Sequence, residues 1–240
     1  MNMFTRTQML LGKAALDRLA AAHVAVFGVG GVGGYAVEVL ARSGVGAIDL
    51  IDKDVVDITN LNRQIIALHA TIGEQKVEVA RRRILDINPS CRVTTFPIFY
   101  LPEVSDHFDL SPYDYVVDCI DTITAKLELI RRCHHQQIPL ISSMGAANKI
   151  DATAFRVADL SKTAIDPLAK ILRKKLRKEG IEHLKVVYSE EEPMMPVEPL
   201  MNEKGRPVPA SNAFVPAAAG LIIGGEVIKD LTRNQVRSIS

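Results

Sequence analysis

Of 240 residues, 48% are apolar, enough for one α/β domain with a sizeable core and too many for a disordered chain. Twenty-nine basic side chains against 28 acidic ones give a net charge of +1, so no global field draws the chain to nucleic acid or an anionic membrane; any such surface must be local. No apolar run is long enough to span a bilayer and the N-terminus lacks a signal peptide's apolar core, so no membrane partner is expected and the cytoplasm is the expected compartment.

Residues 4–22 carry Leu10, Leu11, Ala14, Ala15 and Leu19 at helical spacing and predict a helical lead-in. Arg6 on it is either solvated or reaches a phosphate across an interface between two copies. Residues 24–27 then read as a buried parallel strand, followed by Gly28-Val29-Gly30-Gly31-Val32-Gly33 and a helix over 32–43. Each glycine has a physical task. Gly28 permits a tight turn, Gly30 lets the backbone approach a phosphate, and Gly33 lets the helix pack closely on the sheet. The helix N-terminus aims unpaired N–H groups at the same point, which favours an anion. A second strand over 47–51 ends in Asp52, placed to hold a ribose hydroxyl. The stretch predicts a nucleotide site and leaves NAD, FAD and ATP open.

The next segment, 53–64, is too polar for core and lies just past the end of the second strand, where open α/β sheets bind ligands. It contains Asp54, Asn60, Asn62, Arg63 and Gln64. The guanidinium of Arg63 suits phosphate oxygens; the plainer reading is a capped turn with surface polar groups. A helix over 76–87 follows, with Lys76 in its first turn. A cation there is slightly unfavourable with the helix dipole, a penalty that an anionic ligand would remove. Residues 92–98 read as the third strand.

Residues 113–120 form the next buried run, and Asp118 and Asp121 stand three apart at its carboxyl end. They read as a pair that holds Mg²⁺ or water, or as a helix cap with one metal ligand. A helix over 125–136, a strand over 139–143, a loop at 143–148 near the same edge and a strand over 153–158 follow. The helix over 166–180 presents Lys170, Arg173, Lys174 and Arg177 beside an apolar stripe. Such a face is usually solvated, yet it is the densest positive patch in the chain and can meet a nucleic-acid backbone. Residues 185–188 read as a strand and 189–210 as a mobile loop able to cover the site. Residues 215–231 read as a Gly-broken helix built for close packing, against a second subunit or within the chain. The three cysteines form no CxxC pair, so neither a disulfide framework nor a four-cysteine zinc site is expected.

The stretches GVGGVGGYAVEVLARSGVGAIDLIDKDVVDITNLNRQ, GEQKVEVARRRILDINPS and VVDCIDT together resemble the E1-like, ThiF/MoeB-type family of ATP-dependent carboxylate-activating enzymes. Residues 158–170, ADLSKTAIDPLAK, look like one branch in particular, the tRNA threonylcarbamoyladenosine dehydratases. The resemblance implies a Rossmann-like α/β open sheet, mostly parallel, with helices on both faces and a C-terminal extension completing a single domain over 1–240. Its nucleotide-binding core would span about 20–150 and its substrate-side part about 151–240.

The resemblance also implies ATP over Gly28, Gly30, Gly31 and Gly33, with Asp52 on the ribose. Asp54, Asn60, Asn62, Gln64 and Arg6 would complete the nucleotide site. Arg63 and Lys76 would neutralise phosphates, and Asp121, with Asp118, would hold Mg²⁺. A homodimer with tRNA as substrate is implied, with Lys170 to Lys178 on the tRNA backbone. Two departures stand out. The chain lacks the paired zinc motifs of the sulfur-carrier enzymes, and residues 209–214 hold no cysteine for an acyl relay. Both favour direct cyclisation on tRNA over transfer to a carrier or sulfur-donor protein, which remains the alternative, with an NAD-binding oxidoreductase or a non-catalytic nucleotide-binding module as a third reading.

Overall fold

The computed structural model describes residues 2–106, 108–202, 205 and 207–233. Seven strands form one sheet in the order β3-β2-β1-β4-β5-β7-β6. They are β1 (His23–Phe27), β2 (Ala47–Ile51), β3 (Arg92–Phe96), β4 (Tyr115–Asp118), β5 (Leu140–Ser143), β6 (Phe155–Asp159) and β7 (Lys185–Ser189). All neighbours run parallel except β6, which pairs antiparallel with β7 at the edge. Alternation along the central strands sends Val24, Val26, Ile48 and Leu50 to one core and Ala25, Phe27, Ile51 and Val116 to the other. Apolar residues on both faces are what a strand covered on both sides requires.

The first core is closed by α2 (Lys13–Ala21), α3 (Gly33–Ser43), α4 (Lys76–Ile87) and α8 (Val215–Thr232). The second is closed by α6 (Ile123–His135) and α7 (Pro167–Arg177), with Tyr100, Phe108 and Tyr113 packed beneath. α8 lies so near α3 that a Cβ on Gly220 would stand 2.2 Å from Val32 O, and one on Gly224 2.6 Å from Val39 Cβ. The glycines of the last helix thus serve packing inside the chain, and the reading of that helix as a subunit contact falls away at these two positions.

The lead-in is two helices, not one. Gly12 at φ +84° separates α1 (Thr5–Leu11) from α2. The apolar period runs through this break and hides it. The loop after β3 also holds a short helix, α5 (Pro102–Ser105), which no periodic pattern announced. Among the described residues no helix is long and apolar enough to cross a membrane.

The order of the sheet matters most at β1 and β4. From β1 the chain crosses to β2 and β3 on one side, while β4 and β5 extend the other side. Phe27 is in register with both Ile51 and Asp118, so three strand ends stop level. The crevice above such a reversal is where open α/β sheets take ligands.

Candidate functional site

A cleft of about 680 Å³ opens at that crevice. Its floor is the turn from Gly28 to Val32. Gly28 has φ +88°, and a Cβ there would stand 2.7 Å from Cys119 O on the neighbouring strand's exit. The turn therefore needs glycine twice over, for its backbone and for its neighbour. Gly30 faces open space; a Cβ there would find Gln64 Nε2 as its nearest neighbour, at 3.8 Å. Gly31 also lines the cleft. Gly33 does not; its Cβ would overlap Gly28 O at 1.8 Å, so it serves the contact of α3 with the turn rather than a ligand.

The wall past β2 carries the charges. Asp52 Oδ2 accepts from Val29 N at 2.7 Å, and its Oδ1 accepts from Asp54 N at 2.9 Å. The carboxylate thus ties the glycine turn to the end of β2 while still lining the cleft. Lys76, in the first turn of α4, is 6% exposed and holds Asp54 Oδ2 at 3.0 Å. Arg63 lines the cleft with its Nη1 donating to Thr59 O and Asn62 Oδ1, both at 2.9 Å. Asn60 Oδ1 accepts from Asp57 N at 3.1 Å, and the Asp57 carboxylate accepts from Thr59 N, so this stretch is a capped turn as well as a cleft wall. Gln64 is 6% exposed, and its Oε1 has no hydrogen-bond partner among the described residues. A buried unpaired acceptor at a cleft wall is a place where a ligand donor is missing.

Asn62, Asp118 and Arg173 do not hold the places expected of them. Asn62 is exposed and outside the cleft; its Nδ2 donates to Ser211 O at 3.1 Å and holds the 208–214 segment. Asp118 is fully buried, with Lys126 Nζ at 2.7 Å and Ser142 Oγ at 2.6 Å on Oδ2, and Ile120 N on Oδ1. Both of its oxygens already accept protein hydrogen bonds away from solvent, so it is no metal ligand. Arg173 Nη1 donates to Thr163 O, Thr163 Oγ1 and Leu160 O, and is a brace for the preceding turn, not a free cation. Lys170, Lys174 and Arg177 are exposed.

Asp121 stands exposed at the lip of the cleft. Among the described residues no three His, Cys, Asp or Glu side chains gather into a metal cluster. A cation here would rest on Asp121, ligand oxygens and water, which is how Mg²⁺ is commonly held beside phosphates. Arg6 is exposed on α1 and is not part of its own chain's cleft. The preceding Phe4 ring lies against Gly44, beyond the far end of α3.

The sequence missed the apolar part of this wall. Ile98, Phe99 and Tyr100, just past β3 and beside the end of β2, line the cleft next to Asp52, and Lys53 Nζ sits 4.0 Å from the Phe99 ring centroid. Tyr100 is buried, while the part-exposed Phe99 ring beside Asp52 offers an apolar face that suits a planar base. The loop after β5 contributes Ala146 and Ala147, and the 208–216 segment contributes Val208, Pro209, Ser211 and Pro216. Cys119 also lines the cleft, but burial pushes its thiol up to about 12. Such a thiol stays protonated near neutral pH and makes a poor acyl acceptor.

A glycine turn at the reversal of a parallel sheet, with an arginine and a lysine added from outside the turn, defines a nucleotide-binding α/β protein shaped for a phosphate chain. The chain belongs to the ThiF family, whose model matches residues 4–238. It is 49% identical to the tRNA threonylcarbamoyladenosine dehydratase of Bacillus subtilis, over 98% of this chain and 96% of that protein. The crystal structure of the E. coli tRNA N6-threonylcarbamoyladenosine dehydratase in complex with ATP superposes with a TM-score of 0.88 at 38% identity, covering 98% of this chain and 96% of that one. Its AMP complex matches equally, with a TM-score of 0.88 at 37% identity.

Proposed function

We propose that this protein is an ATP-dependent enzyme that adenylates the carboxylate of threonylcarbamoyladenosine in tRNA and closes it to the cyclic form. The observation that carries the reading is the placement of Arg63 and Lys76 on the wall of the cleft whose floor is the glycine turn. A hydride-transfer enzyme has no triphosphate to neutralise there. Relatives named for this activity, one of them solved with ATP and with AMP, support it.

The chemistry balances in two steps. A carboxylate oxygen attacks the α-phosphorus, the bond to the bridging oxygen of the β-phosphate breaks, and pyrophosphate leaves. The carbamoyl nitrogen or oxygen then attacks the activated acyl carbon, a carbamoyl N–H gives up its proton, and AMP departs with the former carboxylate oxygen. In the first step charge moves onto phosphate oxygens, so cations fixed in place are the main catalytic device. The Gly28–Val32 turn and the α3 N-terminus hold phosphate, Asp52 holds the ribose, and the Phe99 side of the cleft takes the base. A bound Mg²⁺ would draw charge from the β- and γ-phosphates, and Asp121 is the residue that would hold it.

The charged residues lining the cleft cancel, Lys53, Arg63 and Lys76 against Asp52, Asp54 and Asp121. A triphosphate therefore needs positive charge from elsewhere. A divalent cation supplies part, and we assign the rest to Arg6 of a second copy in a homodimer, since Arg6 lies outside its own cleft. Exposed Lys170, Lys174 and Arg177 on α7 are assigned to the tRNA backbone. The α7 cap residue Asp166 accepts from Gly145 N at 3.1 Å, which sets that helix beside the loop that lines the cleft.

The test is AMP and pyrophosphate release with tRNA from cells able or unable to make the threonylcarbamoyl group. Release that depends on the modification is expected. Turnover driven instead by a small carrier protein with a free C-terminus, or calorimetric preference for NAD over ATP, would replace this reading.

A further inference from the structure

α6 carries an anomaly. Its buried residues include Ala125, Leu129, Ile130 and Cys133, and Lys126 falls among them with 0% exposure. Helical spacing puts Lys126, Leu129, Ile130 and Cys133 on one stripe, so an ammonium occupies a position the pattern reserves for an apolar side chain. Its partner, Asp118, is also fully buried. Buried ion pairs are weak sources of stability, because desolvation offsets most of the attraction and a packed apolar pair often does as well. Stability alone is a poor account of this pair.

Its position gives a better one. Asp118 ends β4, and Lys126 lies in the first turns of α6. The ammonium donates to Asp118 Oδ2 at 2.7 Å and to Ser142 Oγ on β5 at 3.0 Å. Ser142 Oγ donates to the same Oδ2 at 2.6 Å, and Asp118 Oδ1 accepts from Ile120 N at 3.1 Å. The loop 119–122 and the first turn of α6 are therefore bridged by the side chains of Asp118 and Lys126, and pinned to the next strand. Cys119, Ile120, Asp121 and Thr122 on that loop line the cleft. Lys126 Nζ, Ser142 Oγ and both Asp118 oxygens each have a hydrogen-bond partner within the cluster, and a buried polar network whose atoms are paired favours one geometry.

We infer that Lys126, Asp118 and Ser142 form a positioning device that sets Asp121 against the triphosphate end of the bound nucleotide. This rests on the reading of the cleft as an ATP site. Lys126 and Asp118 touch no substrate; they act through the loop.

The experiment uses the full chain with the neutral pair Asp118→Asn with Lys126→Met, which keeps an acceptor for Ile120 N and leaves no buried charge. ATP with Mg²⁺, and AMP without metal, are titrated calorimetrically, and folding is checked by circular dichroism. Affinity for ATP with Mg²⁺ is expected to fall by about tenfold and affinity for AMP to stay within about twofold. Asp121→Ala is expected to give the same pattern, and joining it to the pair to add no more than about twofold, because both remove one interaction. Equal loss of ATP and AMP affinity, no loss of either, or multiplying effects would overturn the inference while leaving the ATP site intact. An Asp121→Ala variant with unchanged ATP affinity would remove the role of Asp121 itself. Should the pair variant not fold, Ser142→Ala, which removes the pin to β5 while both charges stay paired, is read in the same way.

Discussion

Lys76 Nζ and Asp54 Oδ2 lie 3.0 Å apart, and the two side chains differ in exposure, 7% for the lysine against 51% for the aspartate. The cation is fixed by the fold, while its partner can turn to water at little cost. An incoming phosphate oxygen can therefore take the ammonium from the carboxylate without breaking up the wall. Lys76→Ala is expected to lower turnover by about 10²–10³, the usual loss for one preorganised donor to developing charge. Lys76→Arg is expected to rescue little, since the bulkier fork must enter a buried site. Single-turnover AMP formation measures both; a Lys76→Ala enzyme within a few-fold of wild type would show that the ammonium is structural only.

Gly30 and Gly33 separate ligand approach from packing. A Cβ at Gly33 meets Gly28 O at 1.8 Å, so Gly33→Ala must displace α3 from the turn, a loss of about 3 kcal/mol or more. At Gly30 nothing lies closer than 3.8 Å, and the new methyl points into ligand space. Gly30→Ala is expected to move the thermal midpoint by no more than about 2 °C while weakening ATP by about tenfold. Thermal unfolding should single out Gly33→Ala, while calorimetry should find Gly30→Ala weak for ATP in a protein of nearly unchanged stability; a Gly30→Ala protein that binds ATP as tightly as wild type would mean that Gly30 is not at the phosphates.

The β1–β2 part of the sheet was readable in the sequence because its signals are local. The apolar runs at 24–27 and 47–51, the glycine spacing and the helical periods all lie within a few turns of one another. Side-chain fate was readable only where burial is set by such a period. Whether Asp118 is a ligand or an anchor depends on Lys126 and Ser142, which arrive from the next helix and strand. Asn62 stands outside the cleft and instead holds the backbone of Ser211, 149 residues away. Arg173 folds back on Thr163 because the turn before α7 exposes carbonyls in its reach. The insertion of β7 between β5 and β6 is equally non-local, and short strands of five residues carry no mark of their partner.

Acid should weaken the contact of α3 with α4 through Glu38. Burial raises the Glu38 pKa, but hydrogen bonds from Arg83 and Arg42 outweigh it and hold the carboxyl below its ordinary value of 4.5. A depressed native pKa contributes stability above the unfolded value, and that contribution fades as pH falls from about 4.5 through the lower native value. Glu38→Gln is therefore expected to lower the thermal midpoint clearly at pH 7. The gap from wild type should shrink below pH 4.5. A gap that stays constant with pH would mean the loss is of packing rather than charge.

The basic helix gives the sharpest separation, because its cations differ in what they already hold. Arg173 spends its Nη1 on Leu160 O, Thr163 O and Thr163 Oγ1, with the shortest of these at 2.6 Å. Arg173→Ala leaves those acceptors short of a charged donor, a loss of about 1–3 kcal/mol of stability, and should spare tRNA affinity. Lys170, Lys174 and Arg177 are exposed and carry their charge into solvent. Changing the three to Gln is expected to leave the thermal midpoint nearly unchanged and to weaken tRNA at every sequence tested. The slope of log affinity against log salt should become shallower by about 0.7–0.9 for each phosphate that no longer meets a cation. Binding measured from about 50 to 200 mM salt reads that slope directly. An unchanged slope in the triple variant, or a shallower one in Arg173→Ala, would move the nucleic-acid face away from this helix.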